Sequence, residues 1–250
     1  MNTTDKLRLP GLAGLTLLAM LVISFILDFT IIGTTGGKPN IDVVNVGPDL
    51  LRAQGSPIWP VETWLYLLMI VPFAVFAFGV YWALRSESDE GLPAMGLGAL
   101  TLFWIFHTIH NATIVTVMQV FVPRYAAGAP GSQAIETVVS ALLGFGNTFF
   151  VPGGGMSTLL LVIAMACLGR ATLRNHQLPR WTGYAALGCA VMSLLGYLQY
   201  LSNPLFVFGL VGWVLSISWL AGVSFRLVRG PAAATPETAT LSAAHRPGAP

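Results

Sequence analysis

Charge is what this chain has least of. Only 9 % of its 250 residues are Asp, Glu, Lys or Arg, where a soluble domain carries about 25 %. So few charges cannot solubilise the surface of a fold this size, which excludes a cytosolic enzyme and a disordered chain. The net charge of +2 is too small to imply a nucleic-acid partner. Cysteine is nearly absent. Cys167 and Cys189 both sit in apolar runs at different expected depths, which excludes a disulfide scaffold and fits cysteine as a small buried hydrophobe. No lysine lies in any long apolar run, since Lys6 and Lys38 fall outside them. That removes a retinal Schiff base. No Ser-His-Asp order, Cys-x-x-Cys or His-Glu-x-x-His motif is present, and no internal repeat of the kind found in many transporters.

What the chain has instead is apolar length. Hydrophobic residues make up 55 % of it, and a helix needs about 20 mainly apolar residues to cross a bilayer. Six runs qualify, at 11–32, 61–84, 93–121, 155–173, 182–202 and 205–228. The expected fold is therefore all-α, a polytopic helix bundle in the lipid bilayer, with residues 1–229 as one transmembrane domain. The first run is too long for a signal-peptide core and is read as retained. Residues 230–250 are Ala-, Pro- and Thr-rich and read as a disordered cytoplasmic tail.

Basic residues orient the bundle. With the N-terminus inside, Lys6, Arg8, Arg85, Arg170, Arg174, Arg180, Arg226, Arg229 and Arg246 fall on the cytoplasmic side. Only Lys38, Arg52 and Arg124 fall outside. Both termini are then cytoplasmic. Residues 136–151 are apolar but short, and Pro152-Gly153-Gly154-Gly155 breaks any helix that follows. The segment reads as a re-entrant or interfacial helix on the outer side. A seventh span is the alternative, but it would carry the Arg170–Arg180 loop outside. The Gly run is either a turn into the next span or a mouth whose amides face a ligand. Residues 33–60 and 122–135 read as outer loops. Pro72 reads as a kink in the second span, and Trp59, Trp64, Trp82, Trp181 and Trp219 as interfacial anchors.

Ionisable residues inside spans are costly and mark functional candidates. Three are expected there: Asp28, His107 and His110. The two histidines stand at i and i+3 on neighbouring parts of one helix face, with Trp104, Asn111 and Met118 nearby and Gln119 on another side. Asp28 could orient an imidazole, as carboxylates do behind ligating histidines, or join His107 and His110 around a divalent metal. The plainer reading is that the histidines bond neighbouring helices and that Asp28 is hydrated at the interface. A haem held by both histidines is disfavoured, because two ligands on one helix face point the same way. Asn111, Asn147, Tyr197, Gln199, Tyr200 and Asn203 also map to the outer half with Asp28 and His110. That asymmetry reads as an outward-opening polar cavity for a small molecule or a proton, lined by Asp28, His107, His110, Asn111, Asn147 and Gln199.

Residues 156–174, the basic turn Asn175-His176-Gln177-Leu178-Pro179-Arg180-Trp181-Thr182-Gly183 and the two runs after it resemble an uncharacterised family of bacterial six-helix integral membrane proteins. The likeness covers residues 156–229 and rests on the Leu-Pro-Arg-Trp-x-Gly turn. It implies a bacterial inner membrane and no particular reaction. Three functions stay open on sequence: small-molecule or proton binding or transport in the outer half, an accessory subunit docked on other membrane proteins, and a metal-dependent membrane enzyme using the His107/His110 pair.

Overall fold

A computed structural model describes residues 3–35, 58–85, 91–125, 128–149, 155–175, 177–198 and 205–230. These residues are all-α, with no strand among them. In chain order the helices are α1 (Thr3–Thr35), α2 (Ile58–Leu68), α3 (Ile70–Leu84), α4 (Gly91–Thr116), α5 (Ser132–Phe149), α6 (Gly155–Arg174), α7 (Arg180–Tyr197) and α8 (Phe206–Arg229). α4 continues through a π turn at Val117–Phe121 and a 3-10 turn at Val122–Arg124. Five stretches are long and apolar enough to cross a membrane: Leu7–Leu27, Pro60–Leu84, Gly91–Arg124, Gly155–Arg174 and Val207–Arg229. The run expected at 182–202 appears as α7, and its residues 199–202 lie outside the described residues. So do most of the 33–60 loop and the tail from 231 onward.

Pro72 leaves one gap in the hydrogen-bond ladder of the second expected span, at the junction of α2 and α3. Proline has no N–H to bond the carbonyl four residues earlier and its ring crowds that carbonyl. That carbonyl belongs to Leu68, the last residue of α2. The ladder resumes at once, because Met69 N bonds Leu65 O at 3.2 Å and Phe73 N bonds Met69 O at 3.1 Å.

The helices close into a ring. α1 packs between α3 and α8, α8 on α7, α7 on α6, α6 on α4, and α4 on α2 and α3. α5 stands outside it, mainly against α4. Lipid tails are as apolar as leucine, so packing rather than water exclusion draws such helices together, and small residues let backbones approach. Gly79 makes room for the Pro10 ring, Gly14 for Phe76 and Ser224, and Gly196 lies against the Gly209 backbone. The interior is filled by α3. Phe73 lies 5.3 Å from Trp104, and Phe76 meets Trp219 edge-to-face at 5.9 Å. Trp219 is therefore a buried core residue and not the interfacial anchor its position near a span end indicated. Trp64, Trp82 and Trp181 are exposed.

One end of the ring is knitted by side chains. Asn175 Nδ2 donates to Ala83 O at 3.0 Å and to Leu84 O at 3.2 Å, while Asn175 Oδ1 accepts from Gln177 N at 2.8 Å. Arg226 Nε donates to Gln177 O at 2.9 Å, and another guanidinium N–H donates to Gly230 O at 2.6 Å. This end also collects Arg8, Arg85, Arg170, Arg174, Arg180 and Arg229, whereas Arg124 stands at the other. Asn175→Ala would strip the α3 terminus of two donors. The expected cost is about 1–2 kcal/mol, read as a lower melting temperature in mild detergent. An unchanged melting temperature would show that the clasp contributes nothing.

Candidate functional site

α4 brings the two intramembrane histidines to the ring, but turns them toward different neighbours. His107 is buried, and its ring meets Tyr66 of α2 edge-on at 4.9 Å and Trp104 at 5.4 Å, with Phe103 stacked at 6.4 Å. His110, one helical turn further along α4, faces α5. The side of α5 that it meets is glycine: a Cβ on Gly146 would lie 3.5 Å from His110 Nδ1 and 3.4 Å from Thr113 Oγ1. Residues three apart on a helix are offset by roughly 60°, enough to send one imidazole to α2 and the other to α5.

Asn111 is buried and its Nδ2 donates to His107 O at 2.9 Å. Its amide is thus partly used by its own helix. Thr101, Thr108, Thr113 and Thr116 each donate to the carbonyl four residues back, at 2.8–2.9 Å. These local bonds explain how α4 carries so many polar groups through an apolar layer. Asn147 is half-buried on α5, next to Gly146. The side chain of Asp28 and all of Gln199 lie outside the described residues. Among the described residues no group of three or more His, Cys, Asp or Glu is placed to hold a metal ion.

α5 starts at Ser132, four residues earlier than expected, so the loop before it is shorter than 122–135. It runs back along α4. The Tyr125 hydroxyl donates to Glu136 Oε1 at 2.6 Å near the tip, Gly146 lies against Thr113, and Phe149 packs on Phe106 at 5.1 Å. Between these points Val117, Tyr125, Val139 and Leu143 form a second small core. The π turn widens α4 by one residue beside this core. Such turns concentrate at functional sites, and no residue type in Val117–Phe121 announces it.

Sequence reasoning singled out Ser24, one turn before Asp28, but not the partly buried Tyr66 or the buried Ser157. Tyr66 is the neighbour of His107, but spacing along one helix says nothing about which helix will face it. Ser24 and Ser157 are wholly buried, and their hydroxyls have no hydrogen-bond partner among the described residues. Gly96 lies against Leu168, and Asn175 reaches the end of α3, so α6 runs opposite to α4. That register sets Ser157 at about the height of His107. Their signal was only a hydroxyl within an apolar run. Comparison with protein-family models, with curated proteins and with solved structures returns no match, so the chemistry of this site rests on its own geometry.

Proposed function

We propose that the chain is a six-crossing protein of a bacterial inner membrane, with both termini cytoplasmic, that binds or transports a small molecule or proton through its outer half. The crossings are α1, α2 with α3, α4, α6, α7 and α8. α5 is the re-entrant or interfacial helix of the outer side. The knitted, arginine-rich end is then the cytoplasmic one, in keeping with the bias of basic residues to that side. The site lies where α4, α5 and the start of α6 meet. His110 and Asn147 face the ligand, His107 and Asn111 stand behind them on α4, and Asp28 and Gln199 are the further candidates that the sequence offers.

The carrying observation is the seat of His110, an imidazole inside a span set against the glycine face of a helix that ends part-way. Non-helical backbone at such depth is tolerated where protein or a water-filled cavity covers it. A polar side chain beside that break is where a ligand can be met without crossing the apolar layer. A thermal-shift panel of small organic anions, amines and sugars on detergent-purified protein would identify the stabilising class. At about 100 times its dissociation constant such a ligand stabilises by roughly 2.7 kcal/mol. His110→Ala is expected to abolish that shift while keeping the melting temperature of the free protein. A full shift in the folded variant would remove His110 from the site.

A further inference from the structure

The arginine-rich end of the ring carries more positive charge than its own residues offset. Asp5 is the one acidic residue in the described helix ends gathered there. Like charges held together repel, and an anion relieves that repulsion. Two carbonyls fix Arg226 in this cluster. It is half-buried on α8, its Nε donates to Gln177 O at 2.9 Å, and a second N–H donates to Gly230 O at 2.6 Å. A guanidinium carries five N–H donors in a rigid fork. The donors left over have no acceptor among the described residues. Arg226 also lines a shallow cleft. Leu7 of α1, Leu178 of the α6–α7 turn and Leu227 of α8 give that cleft an apolar wall, and Gly230 lines it too. Arg8 and Arg229, next in the chain to Leu7 and Gly230, are both exposed. A fixed cation thus sits against an apolar wall, with two further cations beside it.

That pairing suits a phospholipid better than a free anion. A phosphate can take a guanidinium through two parallel hydrogen bonds. A free phosphate ion gains nothing from leucine, whereas a phospholipid brings its phosphate joined to apolar ester and acyl groups. The cleft is shallow, so it seats the phosphate at its mouth rather than a whole ligand inside. The surroundings agree. The Arg85 guanidinium lies 4.2 Å over the Trp82 ring, and Trp82 and Trp181 are both exposed at this end. Tryptophan rings favour the level of lipid headgroups, and basic pockets between spanning helices on the cytoplasmic side bind anionic headgroups.

We propose that this cleft holds the headgroup phosphate of one anionic phospholipid, with Arg226 as its fixed ligand and Arg8 and Arg229 beside it. The site is separate from the outer-half one, and only its assignment to the cytoplasmic leaflet rests on that reading. The bound lipid would tie α1 to α8 and to the α6–α7 turn. Glu87, Asp89 and Glu90 follow Arg85 in sequence and lie outside the described residues. A carboxylate of theirs on Arg226 would exclude the lipid, and the test below would show it as an absence of retention.

The test is native mass spectrometry of the full chain in mild detergent, after titration with phosphatidylglycerol or with phosphatidylcholine of the same acyl chains. The titration is made at high salt, which screens loose attraction to exposed arginines. One phosphatidylglycerol retained per chain is expected, in preference to phosphatidylcholine. Arg226→Gln is expected to weaken that retention at least about tenfold, while Arg124→Gln, at the other end, keeps it. Melting temperature without lipid reports the two lost carbonyl bonds separately. If Arg226→Gln does not fold, the double variant Arg8→Gln, Arg229→Gln takes its place with the same expected loss. Equal retention of the two lipids overturns the proposal, as does undiminished retention in folded Arg226→Gln or its replacement. Displacement of the lipid by millimolar inorganic phosphate would make the free ion the ligand and overturn the lipid assignment. His110→Ala is expected to leave lipid retention unchanged, so this site and the outer-half one fail separately.

Discussion

Gly196→Ala is expected to push α7 off α8 and to lower the unfolding free energy by about 3 kcal/mol, the upper range for overpacking. The added Cβ would stand 2.6 Å from both Cα and N of Gly209. Those are backbone atoms, so no rotamer change can relieve the clash and one whole helix must move. The contrast is Gly144→Ala on α5, where a Cβ would meet nothing within 4 Å. There the change removes backbone freedom from the unfolded chain and is expected to stabilise by roughly 0.5–1 kcal/mol. The two substitutions are chemically identical and opposite in sign. Unfolding titrations of both variants in the same detergent would check them. Equal stabilities would mean that α7 and α8 are not as close as described.

Phe76→Ala should be comparably severe, at about 3–5 kcal/mol. Phe76 is 1 % exposed, meets the Trp219 ring edge-to-face and lies in the slot that Gly14 leaves open. The loss is one of contacts and not of water exclusion. Each buried atom pair contributes only about 0.1–0.2 kcal/mol, but a void forfeits all those around its lining at once. Phe78, two residues on, is 61 % exposed and reads as lipid-facing. Its replacement by alanine leaves no internal void and is expected to change stability by no more than about 0.5 kcal/mol. Chemical denaturation of the pair, followed by tryptophan fluorescence, gives the difference directly. Similar losses for Phe76→Ala and Phe78→Ala would place Phe76 outside the core.

The parts of this fold that could be read in advance are those set by length and charge. Apolar runs placed the five described stretches that are long and apolar enough to cross a membrane to within a few residues, because bilayer thickness fixes how long such a run must be. Arginine positions grouped the helix ends correctly: seven arginines gather where Asn175 ties α6 to α3. Pro72 marked the gap in the ladder at Leu68. The inner faces were not legible. In water a helix declares its buried side by an apolar stripe, but a lipid-facing side is apolar too, so α3 gave no sign that Phe76 points in and Phe78 out. Trp219 was misplaced for the same reason. α5 was the harder case from the opposite direction. Its apolar side, Val139, Leu143 and Gly146, meets α4, while the remainder is mixed, so its sequence matches neither a span nor a soluble helix. The histidines were found because charge-bearing groups are rare at that depth. Their partners Tyr66 and Gly146 were not, since both come from other helices.

The order of helices around the ring bears on how the chain assembles. α6, α7 and α8 are consecutive in sequence and adjacent in space, so each can dock on its predecessor as soon as it emerges from the ribosome. α1 is different. Its neighbours are α2 and α3, nearby in the chain, and α8, the last of the described helices. Phe25 stacks on Trp213 at 4.6 Å, and Gly11 lies against Val228. α1 therefore completes its packing only once α8 has been made, and until then the flank that α8 covers lacks that partner. Closing that seam joins segments separated by nearly the whole chain, the kind of long-range contact that slows folding. Any truncation that removes α8 leaves both α1 and α7 without their closing partner.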